Sequence, residues 1–410
     1  MKALKSSSRF LVFAFICCLL THSQMAFSYQ GIIPKIIENS EKPKYSGRDA
    51  PELVFKQELS IPLVGRRYSF DVDDEGNIYL LESLAGRISV YDKEGNIVGQ
   101  FGKKGQGPGE FENSVFLTVS KDKKIYVIDR SKKAIQIFDS QGKWLEQKRL
   151  PSLGMINSLK IDSTGFPYIQ DTRNLLALQD KERIRRGVGW LGCLSKYDGK
   201  FEKIAEVDTW ENAFIKLSGE GGANRVLYHD IFYYQTALDG SLYLGNSSSY
   251  EIRQHTSEGR VKTIIRKKTN RIPTTKKDRT NLMKYFPNLK EMDLDISKIK
   301  PFFFDFHVLD NIGLLVGTYE NEWNEEGVLY CDLFDQDGLY IAKVKVPPYY
   351  YWVDQDNVSE QRNRLFKGGR CYSIVYNEKE ETLELVRHSV ELKWRNQSRP
   401  FRESRWSYPR

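Results

Sequence analysis

The sequence predicts an all-β fold, a six-bladed β-propeller of four-stranded antiparallel blades, and three observations carry that expectation. A four-run unit repeats along the chain, a spare strand precedes the first unit, and the last unit lacks its fourth strand. The first unit is SFDVDDEGNIYLLESLAGRISVYDKEGNIVGQFG (69–102) and the second is LTVSKDKKIYVIDRSKKAIQIFDSQGKWLEQKRL (117–150). Each holds four short alternating runs separated by Gly-containing or charged turns, the signature of antiparallel hairpins. Aromatic residues make up 13% of the chain, a bias that suits strands.

Weaker copies extend the series. The second strand recurs as PYIQDT (167–172), LYLGNS (242–247), GLLVGT (313–318) and CYSIVY (371–376). The third and fourth recur at 193–207, 250–265 and 328–346, which brings the total to six units. Tyr79, Tyr126 and Tyr168 mark spacings of 47 and 42 residues, the length of one four-stranded blade. After HSVELK (388–393) no fourth strand follows, whereas ELVFKQELSI (52–61) stands alone before the first unit. The N-terminal run is therefore expected to complete the last blade and close the ring, because an open edge would expose unpaired backbone groups.

The pattern GNIYLLES…RISVYDKEGNIVGQFGKKGQGPGEF resembles the NHL-type six-bladed β-propellers common in secreted bacterial proteins. The Gly-Pro-rich run FGKKGQGPGEF (101–111) is its most specific piece, matching the link such proteins use between consecutive blades. The resemblance implies the ring and leaves activity open.

Three segments flank this organisation. Residues 1–28 read as a signal peptide, with Lys2, Lys5 and Arg9 before the apolar run 10–20 and Ala26-Phe27-Ser28 at the cleavage point. The residues before Cys17 and Cys18 lack the small residue of a lipobox. Residues 29–50 read as a linker, 51–392 as the propeller and 393–410 as a basic tail. An exported protein is expected, periplasmic, extracellular or on the cell surface, with no transmembrane segment.

The formal charge of +8 is misleading: three positive charges leave with the signal, and the tail holds six Lys/Arg against one Glu. Residues 29–392 are thus neutral, which argues against a nucleic-acid groove. The tail could make weak contact with an anionic surface. Of the five cysteines, Cys193, Cys331 and Cys371 remain after cleavage, an odd number with no C-x-x-C pair. A bridge between Cys331 and Cys371 is left open.

Function should reside in departures from the minimal blade. These are 172–186, 208–229, 272–300 and 346–357. Within the third, about 274–286 reads as one short inserted helix with Leu282, Met283 and Phe286 on one side, a cap for the ring or a lid. In the fourth, Tyr350 and Trp352 of the Tyr349–Trp352 run are candidate ligand-binding aromatics, with packing between blades as the other reading.

GKKGQGPG (102–109) is no phosphate cradle, because it leads into a strand rather than a helix. Glu82, Asp129, Asp171 and Asn246 end successive second strands, positions a propeller brings to one face. They could bind Ca²⁺, as in sugar-lactonase propellers, or accept hydrogen bonds from the following turns. His229, His255, His307 and His388 show no metal-binding spacing. No catalytic residue stands out and no cofactor is expected. The leading expectation is a scaffold that binds a protein, peptide or glycan through its loop face; the alternative is a metal-dependent hydrolase or lyase at the ring axis.

Overall fold

A computed structural model describes residues 33–65, 67–150, 154–175, 177–185, 188–217, 223–285, 294–320, 328–347, 364–377 and 379–394. The strands form six sheets, each with a four-stranded antiparallel core, arranged as the blades of a ring. Blade 1 comprises β3 (Tyr68–Val72), β4 (Ile78–Glu82), β5 (Arg87–Tyr91) and β6 (Ile97–Phe101). Blade 2 comprises β7 (Ser114–Val119), β8 (Ile125–Asp129), β9 (Ala134–Phe138) and β10 (Trp144–Arg149). Blade 5 is built from β21 (Asp305–Leu309), β22 (Gly313–Gly317), β23 (Leu329–Asp335) and β24 (Tyr340–Val346).

Blade 6 closes the ring as expected. Its first three strands are β25 (Arg364–Lys367), β26 (Arg370–Asn377) and β27 (Thr382–Trp394), and its fourth is the N-terminal β2 (Pro51–Leu63). β2 lies antiparallel to β27 from Pro51↔Trp394 to Leu63↔Leu383. Leu53 and Val390 join the cluster between blades 5 and 6, while Ile61 and Leu63 pack with Leu385 between blades 6 and 1.

Two blades exceed four strands. Blade 3 holds β11 (Met155–Ile161), β12 (Pro167–Asn174), β13 (Val188–Tyr197) and β14 (Lys203–Leu217), then adds β15 (Ala223–Leu227) and β20 (Leu294–Ile296). The insertion expected as a loop over 208–229 is therefore a long hairpin that widens this sheet. Blade 4 holds β16 (Phe232–Thr236), β17 (Leu242–Asn246), β18 (Glu251–His255) and β19 (Val261–Lys267), and takes β1 (Lys35–Asn39) as a fifth strand.

The segment 29–50 is thus more than a linker. β1 pairs in parallel with β19, and Asn39 donates to Gly338 O (3.0 Å) and accepts from Tyr340 N (2.8 Å). Lys44 and Tyr45 then donate backbone bonds to blade 5, and Tyr45 meets Trp394 edge-on at 4.9 Å. Satisfying an exposed outer edge explains why a short apolar run, KIIEN, is held there.

Among the described residues two short α-helices occur rather than one: α1 (Lys181–Arg185) and α2 (Lys276–Tyr285). α2 falls where the sequence placed it. Thr275 and Asp278 cap it reciprocally, with Asp278 N to Thr275 Oγ1 at 3.2 Å and Thr275 N to Asp278 Oδ2 at 2.6 Å. No helix among the described residues is long and apolar enough to cross a membrane.

Burial follows position within the blade. β9 (AIQIF) is buried at every residue because neighbouring blades cover both its faces, while the outermost β6 (IVGQF) is largely exposed. All three described cysteines are buried free thiols, so Cys331 and Cys371 are unbridged although both lie in the cluster between blades 5 and 6. Burial pushes the Cys193 thiol up to about 11.

Candidate functional site

The blade connections divide the ring into two unlike faces. First strands run from one face to the other, so the turns between first and second and between third and fourth strands share one face. Those turns have two to five residues each. Asp73, Asp92, Asp139, Asp162, Asp198 and Asp335 each accept backbone N–H bonds from two and four residues on, near 2.9 Å. This Asx geometry closes the turn locally and leaves little to reach a partner. The fourth turn residue is left-handed, hence Gly76 and Gly95 with φ near 90°.

From β2 onward every longer excursion leaves the opposite face. The 102–113 link, the 175–187 segment with α1, the β14–β15 hairpin, the 268–304 insertion with α2, and the connections 318–328 and 347–363 all attach there. The large insertion is pinned rigidly. Lys300 Nζ, nearly buried, lies 2.6 Å from Asp278 Oδ1 and sits over the rings of Tyr228 (4.9 Å) and Tyr319 (5.8 Å). Burial alone would raise the Asp278 carboxyl, but Lys300 and the Thr275 donors hold it below its usual value.

Through the axis runs a cavity of about 950 Å³ lined by the innermost strands. Side chains on or beside these strands bridge all six junctions. Asp71 Oδ2 accepts from Thr118 Oγ1 (2.8 Å) and Val119 N (2.9 Å), and Arg130 donates to Ile156 O (2.7 Å). Ser158 Oγ meets Tyr234 OH (2.7 Å), and Gln235 donates to Phe306 O (3.3 Å). Gly368 N donates to Asp310 Oδ2 (3.1 Å), and Lys367 Nζ donates to Val72 O (2.7 Å). Burial raises the Asp310 carboxyl, opposed by the Gly368 N–H and by Lys367.

At the loop-bearing mouth of this channel stand Val64 (85% exposed), Leu84 (53%) and Tyr376 (46%) beside Arg67, Lys104 and Arg130. These residues belong to the links of blades 6, 1 and 2, close to one another: Ser83 N donates to Arg67 O (3.0 Å) and Arg130 N to Asn113 O (2.9 Å). Burial and the neighbouring Glu82 push the Tyr68 phenol up to about 12.

The four residues proposed as ligands for a hard cation are held apart, each in its own blade. Glu82 pairs with Arg87 at 2.8 Å. Asp129 is fully buried and accepts from the backbone of Glu112 (2.7 Å), Asn113 (3.1 Å) and Lys132 (3.2 Å). Asp171 lies 3.3 Å from Arg173 Nε, and Asn246 Oδ1 accepts from Ser248 N at 2.9 Å. None of the four lines the channel. Among the described residues no three His, Cys, Asp or Glu side chains are grouped to hold a metal ion. His307 Nε2 is 3.1 Å from Asp305 Oδ2, and His255 Nδ1 is 3.1 Å from Gly259 O.

Tyr350 and Trp352 lie outside the described residues, as do Phe286 and the tail beyond Trp394. The belt residues Asp71, Arg130 and Lys367 escaped the reading of the sequence. Asp71 sits within FDVDD, where the two following acids suggest a turn and mask its bridging position.

The ring, its axial channel and its one-sided excursions define a six-bladed β-propeller. The family described as "6-bladed beta-propeller", DUF5128, matches residues 64–297, and the chain belongs to it. No protein of curated function matches the chain. Among solved structures it is similar to a member of the DUF4221 family from Bacteroides vulgatus, with 14% identity, TM-score 0.51, and 85% of this chain and 100% of that chain covered. It also matches a Bacteroides fragilis protein assigned provisionally to export (15% identity, TM-score 0.49, 88% and 100% covered). A third match is virginiamycin B lyase from Staphylococcus aureus (12% identity, TM-score 0.41, 82% and 99% covered). At these identities the likeness is one of fold.

Proposed function

We propose that this protein is an exported binding module that engages a protein, peptide or glycan through its loop-bearing face and the channel mouth at its centre. Export rests on the charged start, apolar run and small-residue cleavage point within residues 1–28. The binding reading rests on one observation: from β2 onward every connection longer than five residues leaves one face, while the other face carries only short turns, six of them closed by Asp. Variable loops set on a rigid scaffold are where propellers place recognition. Two of the candidate cation ligands accept hydrogen bonds in turns and two pair with arginines, which favours their role as local acceptors.

Val64→Asp and Leu84→Asp test the proposal, because both side chains are exposed at the mouth and neither supports the core. In the exported protein, cross-linked partner capture should fall with either substitution and persist with Leu339→Asp on the opposite face. Equal capture by all three folded variants would sink the assignment of the binding face.

A further inference from the structure

Residues 29–392 are neutral as a whole, yet 260–279 (RVKTIIRKKTNRIPTTKKDR) holds nine Lys/Arg against Asp278 alone. The run spans β19 of blade 4 and the start of the insertion that carries α2. Part of its charge is matched within the fold. Lys267 is buried against Asp332 (2.6 Å), Arg266 pairs with Glu251 (2.8 Å) and Glu38 (3.1 Å), and Arg271 pairs with Asp230 (2.8 Å). Asp278 is taken by Lys300 at 2.6 Å. Lys268, Lys276 and Arg279 remain exposed and form no ion pair among the described residues. Lys298, also exposed and unpaired among them, is brought alongside: Thr274 N donates to Lys298 O (2.9 Å) and Lys300 N to Ile272 O (2.8 Å).

These four cations form a ridge on the loop-bearing face. Lys276, Arg279 and Thr280 share one side of α2, because residues three and four apart are neighbours on a helix. The mount is firm, since the Thr275–Asp278 cap and the Lys300–Asp278 pair fix the start of α2. The surplus attracts anions, and the composition of the ridge selects among them. An acidic protein would need apolar anchors to bury, and a membrane surface an apolar stripe to insert. Ile299 (43% exposed) is the one large hydrophobic side chain exposed among the described residues here. Lysine charges on flexible stems suit a hydrated, linear polyanion better than a fixed bidentate partner. The exposed Thr280 adds a hydroxyl that can bond to a sugar.

Building on the loop-bearing face as the binding face, we propose that the ridge of Lys268, Lys276, Arg279 and Lys298 holds an acidic polysaccharide, its anionic groups spaced along the four cations. The chain lies across the insertion of blade 4 and does not require the axial channel.

The test uses the mature full chain and fluorescein-labelled oligogalacturonate read by anisotropy. Binding should weaken as salt rises, and uncharged dextran should not compete. Lys276→Glu combined with Arg279→Glu should lower the affinity about tenfold, and Lys298→Glu alone about threefold, with an unchanged circular dichroism spectrum. Lys276→Arg combined with Arg279→Lys should retain binding, and so should Lys200→Glu, the same charge change in an exposed turn of the opposite face. Unchanged affinity in the ridge variants would overturn the proposal and leave the basic tail 393–410 as the holder. Equal loss with Lys200→Glu would overturn it in favour of net charge. Tighter binding of poly-L-glutamate, single-stranded DNA or phosphatidylglycerol vesicles through the same residues would overturn the polysaccharide class. If no probe binds while Val64→Asp and Leu84→Asp still lower partner capture, the ridge proposal fails alone. If those variants also leave capture unchanged, both readings fail together.

Discussion

Lys367 Nζ lies 2.9 Å from Asp74 Oδ1 and 2.7 Å from Val72 O, joining the innermost strand of the last blade to that of the first. The contact completes a belt in which each blade holds the next at the axis, independently of the β2–β27 pairing at the rim. Asp74 is largely exposed, so the ion pair itself contributes little; the bond to the buried Val72 carbonyl contributes more. Lys367→Met should lower the unfolding free energy by about 1–2 kcal/mol in urea titrations. Wild-type stability in this variant would show that the rim pairing alone secures closure.

Asp129 offers a direct contrast between two roles. Its carboxylate accepts three backbone N–H groups that organise the Glu112–Asn113 and Lys132 turns. Asp129→Ala leaves these donors without their acceptor and should cost about 1–3 kcal/mol. Urea unfolding in the presence of a chelator measures this. A wild-type protein that loses the same stability on chelation alone, with Asp129→Ala insensitive to it, would point instead to a bound cation.

The fold was legible because its units repeat: IYLLES and IYVIDR announce strands at blade spacing, and the unpaired run 52–61 announces the closure. The added strands were not. KIIEN (35–39) is too short to signal a strand by periodicity, and it is fixed by parallel pairing with β19 and by Asn39 bonding to blade 5 some 300 residues away. The 208–229 stretch read as a loop because its Gly-rich end obscured the hairpin. Glu82, Asp129, Asp171 and Asn246 looked equivalent in the repeat, yet their partners differ: an arginine, three backbone amides, another arginine and a turn. The mouth was invisible for a physical reason, since Arg67, Lys104 and Arg130 become neighbours only when links of adjacent blades meet at the axis.

Between blades 4 and 5, Asp332 is surrounded by Lys267 (2.6 Å), Lys343 (3.0 Å), Tyr250 OH (2.5 Å) and Tyr340 OH (2.7 Å). Burial would raise its carboxyl, but the two lysines hold it below the usual carboxylate range. The folded state therefore favours the ionised form, and this contribution is present above the unfolded value near 3.9 and lost as pH falls through the folded one. Asp332→Leu leaves Lys267 buried without its partner and should cost about 3–5 kcal/mol; adding Lys267→Met should recover much of that loss. Urea unfolding of the single and double variants decides it, and a double variant no more stable than the single would show that the network's worth lies elsewhere.

His388 places a titration at the ring closure. It stands on β27 opposite Gln57 of β2, with its ring 6.2 Å from that of Phe55. Burial lowers its pKa, and Arg364 lowers it further while Glu58 opposes. A lowered folded value means that the unfolded chain takes the proton more readily, so stability is present above about pH 6.5 and declines as pH falls toward the folded value. His255, also lowered chiefly by burial, contributes in the same direction. The urea midpoint should fall between about pH 7.5 and about pH 5.5, and His388→Gln should show a smaller fall. Because the Gln side chain cannot acquire the charge, the difference isolates protonation at the β2–β27 seam. An identical pH dependence in the two proteins would assign the loss to His255 and remove His388 from the closure.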